Sequence, residues 1–553
     1  MRIKTVSGLK KFFLDEDIIE KQEFLRGSCL KNECYHYEVI YDVAEVVNYR
    51  IPAMLKVVSP LSDCIRVRRL NHVPVQLATY GDYKDENYLR TKPGLYPDIL
   101  QDIDLNNPLS LANTLQTLYI EIDPDGKYEA GEYPIRIEFY DFNDKETLLG
   151  ASDFTLEIID AFLPEQELIV DQWFYCDCLQ DYYETEMFDE KHWKIIENFM
   201  KTAVKRGLNM ILTPVFTPPL DTHIGGERPT TQLVDVTVEN GKYTFGFDKL
   251  KRWVELCNKV GFKYFEISHL FTQWGAKFCP KVMATVDGEY KKIFGWETSA
   301  TGKEYTEFLQ TFLPQLIAFM KSMDNADKRC YFHISDEPHP AHVEHYKAAK
   351  AVVKDVLEGY PIMDAMSIYG LYESGLVDVP VPCCDYIEPF LENKVKGLWT
   401  YYCSGQCVDV SNRFIAMPLS RTRIMGVQLY KFNIEGFLQW GYNYYNDQDS
   451  YCQINPFMCT DGDYFTQAGD EFSVYPGRFG QPIESVRLVT FHEAIQDHRA
   501  LKLCESLIGR EKTLELLGEG KDMTFKKYPR HDSYLLEVRE RLNNAIKQAV
   551  SKK

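Results

Sequence analysis

Cys330-Tyr331-Phe332-His333-Ile334-Ser335-Asp336-Glu337-Pro338 begins as an apolar run of strand character and breaks on two adjacent carboxylates and a proline. Aromatic and β-branched residues suit a buried strand, and Pro338, with its φ already fixed, suits the first turn of a helix. Such a strand delivers Asp336 and Glu337 to its carboxyl end, where barrels and open parallel sheets place their chemistry. The Asp-Glu dipeptide recurs at Asp15-Glu16, Asp85-Glu86, Asp189-Glu190 and Asp470-Glu471, but only the copy at 336–337 follows such a strand. The plainer reading of the pair is an acidic start to a helix.

Working outward, apolar strand candidates precede it at Leu168-Ile169-Val170 up to Tyr175, at Met210 to Pro214 and at Tyr264 to His269. Others follow at Pro361 to Ser367, Tyr386 to Phe390, Gly397 to Tyr402 and Gly436 to Tyr442. Helical patterns separate them, so eight strands predict a (β/α)8 TIM-like barrel over residues 164–505, closed by a helix over Val486 to Leu503. Before the linker Leu163-Pro164-Glu165-Gln166 the rhythm is period two, as in Tyr37-Glu38-Val39-Ile40-Tyr41 and Tyr133 to Phe139. Short alternating runs parted by Asp, Asn, Gly and Pro predict an N-terminal antiparallel β-sandwich over residues 1–163. Residues 506–553 read as a charged helical C-terminal segment. Long polar and aromatic loops at Phe216 to Leu233, Leu270 to Thr301 and Asn443 to Gly480 predict an extended ligand site at the strands' carboxyl ends.

The 553 residues carry a formal charge of −20, a field that repels phosphate backbones and anionic lipid, so neither nucleic acid nor membrane is an expected partner. No stretch approaches the ~20 apolar residues of a membrane span. Residues Met1 to Leu30 show no apolar core before a cleavage site, and the 15 cysteines have no disulfide-framework spacing, which together predict a reducing, cytoplasmic setting. Cys176-x-Cys178, Cys383-Cys384 and Cys403-x3-Cys407 lack the second pair that a zinc site requires. No metal and no cofactor are expected.

Two carboxylates suit glycoside hydrolysis, but adjacent strand residues point to opposite faces and cannot easily flank one anomeric carbon as nucleophile and acid. Substrate-assisted hydrolysis divides the work differently. The sugar's own 2-acetamido oxygen attacks, one acid protonates the leaving oxygen, and its neighbour orients the acetamido N–H. Glu337 is then expected protonated and Asp336 ionised, each neighbour tuning the other.

With Leu398-Trp399-Thr400-Tyr401-Tyr402, Gly436 to Asn443, Tyr475-Pro476-Gly477 and Glu484 to Leu488, the Asp336-Glu337 strand resembles glycoside hydrolase family 123 and its uncharacterised relatives. The likeness implies an exo-acting, retaining β-N-acetylgalactosaminidase acting on an N-acetylgalactosamine-containing oligosaccharide or glycoconjugate. By that likeness Asp336 orients the acetamido group, Glu337 is the acid/base, and a tyrosine hydroxyl holds the acetamido oxygen. Tyr401 fits, since it shares a strand face with Trp399; Tyr402 is the reserve. Trp399 and Trp440 would wall the sugar, and as plain core residues they would look the same. His269, Trp274, Asp364 and Asn443, at or near strand ends, complete the expected substrate contacts, and Arg228 suits a hydroxyl or an acidic neighbour. Three alternatives stay open: a β-N-acetylglucosaminidase with the same machinery, a double displacement using Glu266 with Glu337, and a non-catalytic carbohydrate-binding barrel.

Overall fold

A computed structural model describes residues 1–43 and 51–552. Its N-terminal part holds two five-stranded sheets. In Gly131–Asp141 the inward Ile135, Ile137 and Phe139 alternate with Arg136, Glu138 and Tyr140, the period of a half-buried strand. These residues meet Leu118, Ile120 and Ile122 of the opposite sheet in one apolar core. Gln116–Ile122 is buried on both faces, because Tyr119 and Glu121 on its far side face the C-terminal half.

Parallel strands follow. Met210–Thr213, Tyr264–Ile267, Cys330–His333, Ile362–Ala365 and Val379–Val381 form one sheet, and Ile169–Gln172, Gly436–Gln439 and Trp399–Tyr401 a second. Between the sheets, the Asn209 amide donates to Val170 O (3.1 Å). At the other boundary the Tyr401 amide donates to Pro382 O (3.2 Å). The strands lie at the expected places except the sixth, which is Val379–Val381, whereas Glu388–Glu392 is a helix with Pro389 in its first turn. A three-residue Val-Pro-Val strand carries too little pattern to be recognised, and Pro389 opens a helix because its missing N–H costs nothing there.

One of the long loops, 270–301, is not a free ligand loop, and its hairpin joins another that follows the loop 216–233. Asp235–Glu239, Lys242–Gly246, Val282–Val286 and Glu289–Phe294 pair into a four-stranded sheet of two hairpins. Helix Val486–Ile508 is capped by Ser485, whose Oγ accepts from the Leu488 amide. Helix Asp532–Val550 is no loose tail: Leu535, Val538, Leu542 and Ile546, at the spacing of one helical face, close a core shared with Val489 and Leu501. No helix of the described residues is long and apolar enough to cross a membrane.

Buried ion pairs tie these regions together. Arg206 and Arg68 both donate to Glu121 Oε2 (2.6 Å each), and Arg206 also bonds Glu484. Burial alone would raise the Glu484 carboxyl; the two guanidiniums outweigh it and hold the carboxyl well below the usual range. Asp98 pairs with Arg487 (2.7 Å), and Arg539 joins Glu33 to Asp497. Arg206→Ala leaves two buried carboxylates undercompensated and is expected to lower the unfolding free energy by about 3 to 5 kcal/mol, read by chemical denaturation. A change below about 1 kcal/mol would show that water replaces the guanidinium.

Candidate active site

The Cys330–His333 strand stops at His333, and the chain bends through Asp336 and Glu337. Glu337 is left-handed (φ 46°), a conformation a side-chain-bearing residue adopts at a cost of about 1 kcal/mol. That turn is why consecutive acids serve one cavity; in a continuing strand they would face opposite ways. The helical turn expected at Pro338 opens instead at Pro340, in Pro340–His342.

Asp336 and Glu337 line a cavity of about 200 Å³, a pit of sugar size rather than the open groove that long loops suggested. Trp173, Trp274, Trp440, Leu438 and Phe465 supply its apolar walls, and Asp221, Tyr401, Cys403, Ser404 and Ala365 complete it. Among the described residues no lysine, arginine or histidine lines it. Three carboxylates without a cation disfavour anionic ligands and suit a neutral molecule rich in O–H and N–H donors.

The polar groups are fixed in place. The Tyr401 hydroxyl donates to Glu337 Oε1 (2.6 Å) and accepts from the Cys383 thiol (3.0 Å). Trp440 Nε1 donates to Asp470 (2.9 Å) and Trp173 Nε1 to Glu266 (3.0 Å). Trp274, itself left-handed (φ 57°), donates its amide to Asp336 O (3.1 Å). Asp221 is held by the Tyr175 hydroxyl (3.2 Å) and by its amide on Gln273 (2.9 Å). Burial pushes its carboxyl up to about 6 against the pull of Arg228.

Burial, then the charge of Glu337, raises Asp336 well above the usual carboxylate range, with His333 opposing. Glu337 presents surface to the cavity, yet the walls that crowd it raise it too, against the Tyr401 hydroxyl. The two acids therefore hold a proton to higher pH than isolated carboxyls. Tyr401 by itself favours charge on Glu337, the reverse of the sequence expectation.

Of the residues singled out in the sequence, Asp336, Glu337, Tyr401, Trp274 and Trp440 come together in this cavity. Trp399 does not: it is on the face of Tyr401 but one layer deeper, packed on Tyr331 (5.6 Å) and on Gly436, where an added Cβ would meet its indole. Tyr402 is buried against Phe437. Asn443 clips the backbone of Tyr175 through both amide atoms. Arg228 pairs with Asp177 (2.7 Å).

His269 and Asp364 lie beneath the floor. His269 stacks on His333 (3.9 Å), and Asp364 accepts from the Tyr346 hydroxyl (2.7 Å). Glu266, the alternative nucleophile, is fully buried with them, bonded to Trp173 and His333, and does not line the cavity.

Glu266, His269 and His333 are close enough to share a metal ion, as are His333, Asp336 and Asp364 and, elsewhere, Cys34, His36 and Glu121. Stacked rings point their in-plane lone pairs side by side instead of at one centre, and Arg68 and Arg206 already occupy Glu121. Glu266 Oε1 is taken by His333 Nδ1 (2.8 Å), while both nitrogens of His269 and the facing His333 Nε2 and Asp364 Oδ1 have no hydrogen-bond partner. Sequence reasoning missed Trp173 and Asp221. The first lies one residue past its strand, a detectable position; the second sits in an irregular loop at φ 45° with no pattern to mark it.

The sequence model described as glycoside hydrolase 123, catalytic domain, matches residues 173–504. The solved structure of a family 123 glycoside hydrolase from Clostridium perfringens, described for glycolipid glycan hydrolysis, is similar over 100% of this chain and 97% of that one. At 15% identity and a TM-score of 0.74 it shows a shared fold. A family 2 β-galacturonidase from Eisenbergiella tayi covers 84% of this chain and 69% of its own at 10% identity, with a TM-score of 0.30. That value is too low to bear on the fold. Among curated proteins none matches.

Proposed function

Because the chain belongs to glycoside hydrolase family 123, we propose that it removes terminal β-linked N-acetylgalactosamine from a glycan, with retention, by substrate-assisted catalysis. The observation that carries this reading is that two consecutive carboxylates share one small, apolar-walled cavity without any cation.

The acetamido oxygen attacks the anomeric carbon, the glycosidic bond breaks, and its electron pair leaves on the aglycone oxygen, which takes the proton of Glu337. Asp336 accepts the acetamido N–H and opposes the positive charge that grows on the forming ring. Water then opens that ring at the anomeric carbon, giving its proton to Glu337. A bound N–H favours charge on Asp336 and so moves the shared proton to Glu337, reversing the bias set by Tyr401.

The parallel strands, joined at both sheet boundaries by backbone hydrogen bonds, support a closed (β/α)8 barrel over 164–505. Residues 1–163 are then its β-sandwich and 506–553 its helical C-terminal segment. Fifteen unpaired cysteines fit a reducing, cytoplasmic compartment.

A second reading makes Asp221 an enzymic nucleophile, since it lines the same cavity. Aryl β-glycosides separate the two. The N-acetylgalactosaminide is expected to react best, its gluco epimer more slowly, and the plain β-galactoside at least about a thousandfold more slowly for want of an internal nucleophile. Comparable rates on the plain galactoside would favour Asp221 and overturn substrate assistance; a faster gluco epimer would overturn the galacto preference alone.

A further inference from the structure

His333, on the strand that leads to the acids, lies with every atom buried beneath the cavity floor. Its Nδ1 is 2.8 Å from Glu266 Oε1 and its Nε2 is 3.4 Å from Asp364 Oδ1. Both carboxylates are fully buried, and each has another oxygen engaged by a donor: Trp173 Nε1 on Glu266 at 3.0 Å, the Tyr346 hydroxyl on Asp364 at 2.7 Å. The Nδ1 contact is a hydrogen bond and the Nε2 contact an ion-pair distance without one; a ring with a carboxylate facing each nitrogen favours double protonation, since the neutral tautomer would set a lone pair against a negative oxygen.

Charge is needed here. Asp336 must stay ionised for the reaction proposed above, although it is half-buried and faces Glu337, Asp364 and Asp221, all acids. The cavity lining holds no cation to offset them. A ring nitrogen of His333 lies within 4.8 Å of carboxylate oxygens of both Asp336 and Asp364. The other histidine, His269, stacks on it at 3.9 Å with neither nitrogen hydrogen-bonded; burial and the His333 charge keep it neutral. Asp171, beside Glu266, is raised by burial and by that neighbour, so it adds a proton and no charge.

We propose that His333 is a positioning residue: a buried imidazolium, clamped between Glu266 and Asp364, that keeps Asp336 ionised and fixed for the acetamido group. The inference rests on the substrate-assisted reading and adds to it the source of the charge. Burial opposes the imidazolium, but Asp364 and then Glu266 hold it up to about 10, so it persists across the working range of any carboxyl pair.

The test is His333→Asn, assayed on aryl β-N-acetylgalactosaminides with good and poor leaving groups. We expect kcat about a hundredfold lower for both and KM within about threefold. Without the cation the Asp336 carboxyl rises, so the acidic limb of the pH profile should move up by about one unit or more. In the Asp336→Asn background the same substitution should cost little more, because its target is gone.

Equal losses in both backgrounds, or an unmoved acidic limb, would overturn the proposal. Activity surviving in Asp336→Asn would instead sink the substrate-assisted reading itself. Should His333→Asn fail to fold, ring 15N NMR of the unmodified protein decides, with Glu266→Gln marking the perturbed ring. A doubly protonated signature through pH 8 is expected, and a neutral ring at pH 6 overturns the proposal.

Discussion

Glu337→Gln is expected to slow hydrolysis of an unactivated β-N-acetylgalactosaminide by about a thousandfold, the effect of removing a positioned general acid. The amide keeps the side chain's shape, and its oxygen can still accept from the Tyr401 hydroxyl, now 2.6 Å from the carboxylate. The fold should therefore be unchanged, and the loss chemical. It should shrink as the leaving group becomes more acidic, because a good leaving group departs without a proton. What remains is the second step, in which water needs a base; azide needs none, so it should restore turnover and yield the β-glycosyl azide. A loss independent of the leaving group would place Glu337 outside proton transfer.

Asp336→Asn should act on the other half of the chemistry. Its carboxylate contributes most when the acetamido group carries positive charge, so kcat should fall by about a thousandfold while KM changes by a few-fold. The leaving group should not matter, in contrast to Glu337→Gln. An inhibitor shaped like the cyclised acetamido intermediate should lose far more affinity than the product sugar does. If the whole loss fell in KM, Asp336 would be a recognition group and the mechanism would need another source of charge stabilisation.

Much of this arrangement was legible in the sequence where periodicity and strand ends carry it. The run Cys330 to Pro338 announced a buried strand with acids at its end, and Tyr401 and Trp440, singled out through the family likeness, line the same cavity. Depth along a strand is not written in a period of two. Trp399 shares the face of Tyr401 but lies a layer below it, and Tyr402, His269 and Asp364 likewise sit beside or beneath the cavity. The hairpin of 282–294 looked like open loop because charged and polar residues such as Lys291, Lys292 and Glu289 sit on its exposed face. Asp221 reaches the cavity through a left-handed turn, which depends on long-range contacts with Gln273 and Ser450. Nothing in the sequence marks His333, since the carboxylates beside it come from strands 67 and 31 positions away in the chain, counted to Glu266 and Asp364.

The ion pairs that cross between the two halves also limit how the gene for such a protein can be cut. A fragment restricted to residues 173–504 keeps Arg206, Arg487 and Glu484 but loses Glu121, Asp98 and Arg68, leaving stranded charges where there had been compensation. The catalytic half is thus no free-standing cassette. Expressed without its N-terminal sheets, it is expected to lose stability to those orphaned charges.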